Sequence, residues 1–245
     1  MSPSEKYLVT ESELIICDPE LQIDLQIPFD LPRIPVDLNG ENVKEEKDRE
    51  GNLLSVYLVE GGRRHGECRQ FSEEGKLRGE SFYCHGKLHG PSILYSQQGQ
   101  VLAKSWYCHG QKWGKAYLYF PSGKLASIQR HVQGQWEGVQ HYFYEGGELK
   151  SEIPYVNGKL HGQVRLFWES GQMKREAHYV EGLREGSDRL WNEKGGLLDE
   201  GHYSAGKPVG RHCHYFPNGK LQEEIVYHTP TRFDRKEWNA EGKGI

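Results

Sequence analysis

No stretch of this chain approaches the roughly 18 consecutive apolar residues of a membrane-spanning helix. The opening segment, MSPSEKYLVTESELIICDPE, lacks the basic region and apolar core of a cleavable export signal. We therefore expect a cytoplasmic protein, with export by a route that cleaves no signal left open. A disulfide framework is equally unsupported, because the five cysteines are an odd number. Cys84 and Cys108 stand 24 residues apart, which in a sheet of regular repeats means two strands, or about 9 to 10 Å. Disulfide-bonded Cα atoms sit within about 7 Å, so a reduced compartment fits. Apolar residues make up only 36% of the chain and the mean hydropathy is −0.79, too little for a thick core but enough for a thin sheet with much solvated face. Aromatic residues, at 11%, compensate by burying a large area each. Positive charge is also sparse. Residues 1–50 hold 13 acidic and 5 basic side chains, net −8, and the remaining 195 are net +4. That is no basic stripe, so nucleic acid is excluded as a partner. The acidic leader fits either a solvated tail or a segment lying against the array.

Glycine is what the chain has, and it recurs every 24 residues. Gly62, Gly86, Gly110, Gly134, Gly158, Gly182 and Gly206 form one column. Gly66, Gly90, Gly114, Gly138, Gly162, Gly186 and Gly210 form a second, and Gly75, Gly99, Gly123, Gly147, Gly171, Gly195 and Gly219 a third. At about one glycine in eight residues, one such column arises by chance roughly once in two million. An aromatic column runs Phe71, Tyr95, Tyr119, Phe143, Phe167, Trp191, Tyr215, and another runs Tyr83, Tyr107, His131, Tyr155, Tyr179, Tyr203, Tyr227, broken only by His131.

One unit, Gly90 to Gly114, holds two β-favouring runs separated by glycine-bearing segments, with an apolar period of two. Each unit is a β-hairpin and the fold is all-β. Pro121-Ser122-Gly123 and Pro217-Asn218-Gly219 match three-residue hairpin loops with glycine in the left-handed position, and Asn157-Gly158 matches a tight turn. The second glycine column marks either a close backbone approach or a bend. Tyr83, Tyr107, Tyr155, Tyr179 and Tyr203 are expected to form a structural packing ladder with small residues beside them. Three regions follow: 1–47, an acidic segment with one edge strand at Ile23–Ile27 and an extended proline-bearing linker; 48–227, a half repeat plus seven units; and 228–245, a cap.

The strings Tyr83-Cys84-His85-Gly86-Lys87-Leu88-His89-Gly90 and Tyr155-Val156-Asn157-Gly158-Lys159-Leu160-His161-Gly162, each followed by aromatic-x-x-x-Gly-x-Leu, resemble the MORN-variant repeat and the bacterial proteins labelled YwqK-type antitoxins. The resemblance covers about residues 51–227. It implies an elongated open meander of β-hairpins, a twisted single-layer sheet with a groove along one face. It further implies scaffolding, self-association, phospholipid binding or, for the antitoxin label, capture of a partner protein.

No enzyme is expected. Catalytic residues are singular, whereas His65, His89 and His161 share one repeat column with Trp113, Glu137, Glu185 and Val209. No metal or cofactor is expected either. His212-Cys213-His214 lacks a third ligand at evident spacing; Cys84-His85 and Cys108-His109 are adjacent residues that would diverge on a strand, lie too far apart to share one ion, and read better as turn residues. Gly-Lys-Leu-His-Gly lacks the helix of a phosphate loop.

Specificity in a repeat protein belongs to its variable columns. One runs Ser72, Ser96, Phe120, Tyr144, Trp168, Asn192, Phe216, and another runs Arg69, Ile93, Tyr117, His141, Arg165, Arg189, Cys213. Aromatic and arginine side chains are favoured at interfaces, which makes Phe120, Tyr144, Trp168, Phe216, Tyr117, Arg165 and Arg189 candidates for binding another protein. The other reading is that the rings pack beneath neighbouring strands. Lys150, Lys174 and Arg175 keep anionic phospholipid as an alternative partner, and an uncapped sheet edge would favour end-to-end self-association.

Overall fold

The computed structural model describes residues 13–18 and 23–28 as backbone, and residues 31–35 and 38–245 with their side chains. No helix occurs among the described residues, and none is therefore long and apolar enough to cross a membrane. The chain divides into two compact units, Met1–Gln135 and Trp136–Ile245.

In the first unit, strands Val43–Lys47, Leu53–Glu60, Arg63–Phe71, Leu77–Cys84, Lys87–Tyr95 and Val101–Cys108 pair antiparallel, each with the next. Gln111–Lys112 and Gly114–Tyr119 are two parts of the following strand, and Leu125–Val132 pairs with the latter. The meander is open and one layer thick, so its core is small. Ile34, Val56 and Leu58 are buried, with Val43 and Phe71 against them. Residues 32–34 cover this start of the array. The Glu67 amide donates to the Pro32 carbonyl at 2.8 Å, and the Ile34 amide donates to Glu67 Oε2 at 2.9 Å. Glu67 is buried, and its other oxygen accepts from Arg69 Nε at 2.8 Å, which supplies the partners that a buried carboxylate requires.

The second unit repeats the design from Gly138–Phe143 through Leu149–Val156, Gly162–Phe167, Met173–Val180, Leu183–Trp191, Leu197–Ser204, Lys207–Tyr215 and Leu221–Thr229 to Arg232–Glu237. In place of a continuous apolar core it buries small or paired groups. Ala177, Ser151 and Cys213 are small; Asp188 is buried and accepts a two-pronged bond from Arg175, at 2.9 and 2.6 Å.

The second glycine column pairs directly across from the tyrosine column, Gly66 with Tyr83, Gly90 with Tyr107, Gly162 with Tyr179 and Gly210 with Tyr227. Its seven φ values run from +66° to +105°, a region closed to most side chains. The cause is a bulge: Ser81 pairs with Ser92 and Tyr83 with Leu88, so three residues of one strand oppose one of the other. Bend is thus the general reason for these glycines. Close approach is local: a Cβ at Gly66 would lie 2.4 Å from the Pro32 carbonyl oxygen, while at Gly210 it would meet nothing within 4 Å.

Two expectations about the ends change. Ile23–Pro28 is a strand, but it pairs with Glu13–Asp18 in a separate two-stranded sheet and is not a lone edge strand. The strand Glu13–Asp18 comes within 8 Å of Gly114–Tyr119; the leader also meets the array at Pro32 and Ile34, and its last residues, Val43–Lys47, are themselves a strand of the array and not a linker before it. At the other end, the segment after Tyr227 departs from the sequence pattern yet continues the geometry. Arg232–Glu237 supplies one more strand, and the Asn239 amide donates to the Lys243 carbonyl at 2.9 Å as in the preceding loops.

Candidate functional site

Each hairpin presents one side-chain column in its three-residue loop and another beside its tight turn. The loop column is Ser72, Ser96, Phe120, Tyr144, Trp168, Asn192, Phe216. In every member the backbone amide donates to the carbonyl four residues on, and the carbonyl accepts from the glycine three residues on. Asp48 and Asn239 make the same pair of bonds beyond either end. The column is therefore invariant in backbone and variable in side chain, and it lies between strands instead of on a strand face.

Polar and aromatic members of this column do different work. Asp48 Oδ1 accepts from the Glu50 and Asn52 amides at 2.9 and 2.8 Å, Ser96 Oγ from Gln98 and Gln100 at 3.2 and 3.1 Å, and Asn192 Oδ1 from Lys194 and Gly196 at 2.9 Å each. These side chains cap their own loops. Aromatic rings cannot. Tyr144 instead donates its hydroxyl to the Phe167 carbonyl at 2.9 Å, and Trp168 donates Nε1–H to the Trp191 carbonyl at 3.1 Å, each reaching the next loop. Lys150 Nζ sits 5.4 Å from the Tyr144 ring centroid and Lys174 Nζ 4.2 Å from that of Trp168, within cation–π range. Phe120, Tyr144, Trp168 and Phe216 are all half-buried.

The second candidate column forms part of a charge ladder across the sheet. Arg165 pairs with Glu152 on one side and Glu176 on the other, and Arg189 with Glu176 and Glu200. Arg165 Nη2 lies 2.9 Å from Glu152 Oε2. Both arginines are exposed, so each ion pair contributes little to stability. Tyr117 lies edge-on to Trp106 at 6.1 Å. Tyrosines in each unit bond carboxylates as well: in the first, burial and then a 2.6 Å hydrogen bond to Glu80 push Tyr95 up to about 12, and in the second, burial with a bond to Glu200 raises Tyr215.

The tyrosine ladder is interleaved rather than ring on ring. Arg64 covers Tyr57 at 4.3 Å and Tyr83 at 5.6 Å, Arg184 covers Tyr203 at 4.7 Å, and Trp136 meets Tyr155 edge-on at 4.8 Å. His212 stands between Tyr203 and Tyr227 at 5.1 and 4.9 Å, with Nε2 2.8 Å from the His202 carbonyl oxygen. His214 instead faces Asp199 at 2.5 Å, so the two histidines flanking Cys213 are engaged separately.

At the opposite strand ends, each tight turn has a left-handed residue ahead of its glycine: His85, His109, Gln133, Asn157, Glu181 and Ala205 have φ between +47° and +50°. Two successive left-handed residues define the turn type that matches sheet twist. The glycine amide then donates to a carbonyl of the previous hairpin, as in Gly86 to Arg64 at 2.7 Å and Gly206 to Arg184 at 2.9 Å. The column containing His65 closes the arrangement from the side. Glu137 accepts from the Asn157 amide and Glu185 from the Ala205 amide, both at 2.7 Å, while His65 and His89 Nδ1 accept from His85 and His109 at 3.4 Å. Burial, then the neighbouring His109, lowers the His89 pKa, and burial pushes the Cys108 thiol up.

This geometry corrects one expectation. Cys84 and His85 do not diverge as alternate strand residues would, because His85 has left the strand for the turn. Ligand atoms of His65, Cys84 and His85 all lie within 4.8 Å of one another, and so do those of His89, Cys108 and His109. The sequence contained the signal, Cys-His before glycine twice at the repeat period. Only the turn conformation shows that the side chains converge.

The fold and these columns define an antiparallel β-repeat protein with regularly spaced loop and turn positions. Four of its segments, 64–85, 136–157, 160–181 and 208–228, match the MORN repeat variant, all in the register of the 24-residue glycine lattice. No curated protein sequence matches the chain. Among solved structures, it is similar to the TcdB2-TccC3-Cdc42 crystal structure at 14% identity and TM-score 0.22, covering 95% of this chain and 14% of that one. Similarity to a Photorhabdus luminescens Tc holotoxin pore is 14% identity with TM-score 0.20, covering 82% of this chain and 13% of that one. The chain thus spans about a seventh of these much longer proteins, and likenesses this distant support no functional statement.

Proposed function

We propose that this protein is a non-catalytic scaffold that binds a partner protein along its three-residue loops. The observation that carries this reading is the loop column itself, whose backbone is held the same in every hairpin while its side chain varies from Ser and Asn to Phe, Tyr and Trp. A fixed frame with variable large rings is what a repeat protein needs to select a partner without altering its fold. Neutralisation of a partner protein, as the antitoxin resemblance suggests, is a special case of the same activity. Phospholipid binding is less well supplied, because Lys150 and Lys174 lie over rings and Arg175 is held by Asp188. End-to-end association is also discouraged: Val43–Lys47 exposes Lys44, Glu45, Glu46 and Lys47, the charged dressing that blunts strand pairing.

The test uses the column's own vocabulary. Phe120→Ser, Tyr144→Asn, Trp168→Asn and Phe216→Asn introduce residue types that already cap these loops elsewhere, so the fold should persist while the rings are removed. Affinity capture from the native cell should lose in the variant a partner held by the unaltered chain, with the thermal midpoint shifted by only a few degrees. Retention of that partner would remove the loop column as the interface. Vesicle flotation that fades with salt would favour anionic lipid instead.

A further inference from the structure

We infer that the first unit carries two metal sites for a thiophilic cation, Zn2+ foremost, one made by His65, Cys84 and His85 and the other by His89, Cys108 and His109. In each, one sulfur and two imidazole groups bring ligand atoms within 4.8 Å of one another. Tetrahedral Zn2+ with nitrogen at about 2.0 to 2.1 Å and sulfur at about 2.3 Å sets ligand separations of roughly 3.3 to 3.8 Å. Closing the remaining ångström needs only side-chain rotation, since His85 and His109 are exposed and the other four residues are half-buried. A donor set of thiolate and imidazole, with no carboxylate in the trio, selects Zn2+ or a softer ion over Mg2+ and Ca2+. Three protein ligands leave a fourth position for water or for a partner's side chain.

Three further observations separate these trios from ordinary turn residues. First, they are duplicated in full at the repeat period, with ring centroids 4.9 Å apart at 50° for His65 and His85 and 4.8 Å apart at 50° for His89 and His109. Second, none of the other turns keeps the cysteine or the histidine that follows it. Where the column again holds histidine, at His161, the turn offers Val180 and Glu181 in place of cysteine and histidine. Third, capping explains the glutamates of the column better than the histidines. Glu137 and Glu185 accept the turn amide at 2.7 Å, whereas His65 and His89 stand at 3.4 Å, the outer limit of a hydrogen bond.

The topology gives such a site a physical consequence. His65 lies on Arg63–Phe71, while Cys84 ends Leu77–Cys84 and His85 opens the following turn; His89, Cys108 and His109 repeat this one unit later. Each ion would therefore tie a strand of one hairpin to the turn of the next. With repeats about 10 Å apart, each trio would hold its own ion.

Co2+ titration of the reduced, chelator-treated full chain tests this directly. The expected result is two equivalents per chain, with intense tetrahedral visible bands and a near-ultraviolet thiolate-to-cobalt band, all bleached by two equivalents of Zn2+. Cys84→Ser should halve the thiolate band and Cys84→Ser with Cys108→Ser should abolish it. His85→Asn with His109→Asn protects against a folding artefact, because asparagine tolerates the left-handed turn position and already occupies it at Asn157. That variant should keep its circular dichroism and lose at least about a hundredfold in Zn2+ affinity, more than loss of an outer-shell partner costs. Fewer than one equivalent bound, a thiolate band that survives the double serine variant, or unchanged affinity in the folded asparagine variant would each overturn the assignment.

Discussion

The two units solve one backbone problem with different side chains. At the tight turns of the second unit, Glu137 and Glu185 clamp the amides of Asn157 and Ala205 at 2.7 Å. At the same positions of the first unit, imidazoles stand at 3.4 Å and a cysteine joins them. The first unit also contains the one break in the tyrosine column, His131, which is buried with Nδ1 lacking a hydrogen-bond partner. A repeat lattice thus constrains the chain's path strictly and its side-chain chemistry loosely. Two turns of the first unit have used that latitude for histidine and cysteine, and two of the second for carboxylates.

The strongest way to break the comparison is at glycines equivalent in sequence but not in surroundings. Gly66→Ala must adopt φ +93° and push against the Pro32 carbonyl, so denaturant unfolding should show a loss of about 4 kcal/mol. Gly210→Ala meets nothing within 4 Å and should lose only the left-handed strain, about 1 to 2 kcal/mol. Equal losses would show that the covering segment 32–34 is not held against the array.

Acid should next distinguish His131 from the tyrosines of its column. Burial, and then Lys112, depress its pKa to about 4, against about 6.5 in the unfolded chain. Between those values the unfolded state binds more protons. The contribution is therefore complete above about pH 6.5 and is lost as pH falls towards 4, by about 3 kcal/mol. His131→Tyr should flatten that limb in unfolding curves measured across the range. An unchanged acid slope would mean that His131 is not held neutral.

Smaller effects sharpen the contrast at the turns. Glu185→Ala removes a charge-assisted cap and should cost about 1 to 2 kcal/mol, while His65→Ala, measured in metal-free buffer, should cost under about 0.5 kcal/mol because its bond is long. Comparable losses would make His65 a turn cap like Glu185. Least of all, Ala205→Gly should gain about 0.5 kcal/mol in chemical denaturation by relieving φ +48°. Asn157→Gly should gain nothing, since asparagine accepts that conformation.

Much of the fold was legible because turns leave local marks. Pro121-Ser122-Gly123 and Asn157-Gly158 state their backbone conformations in adjacent residues, and the 24-residue period sets which strands are neighbours. The strand Glu13–Asp18 was missed because its partner is not part of the lattice, and the last strand, Arg232–Glu237, because exposed charges hide its alternation. The candidate interface was legible only as a list of variable columns. Residue type alone tells that Ser96 can cap its own loop and Trp168 cannot, but not that Trp168 braces the next one. That division depends on which atoms reach a carbonyl 23 residues away.

By itself, then, the sequence determined an all-β chain of 24-residue hairpins, since glycine at positive φ and alternating side chains are local requirements that no distant contact can replace. The tertiary structure decided where variable side chains meet: that a bulge makes the second glycine column necessary, that aromatic loop residues reach across hairpins, and that Cys84 and His85 converge on His65. Such meetings depend on turn dihedrals and on register between strands some twenty residues apart, and no single segment of the chain encodes either.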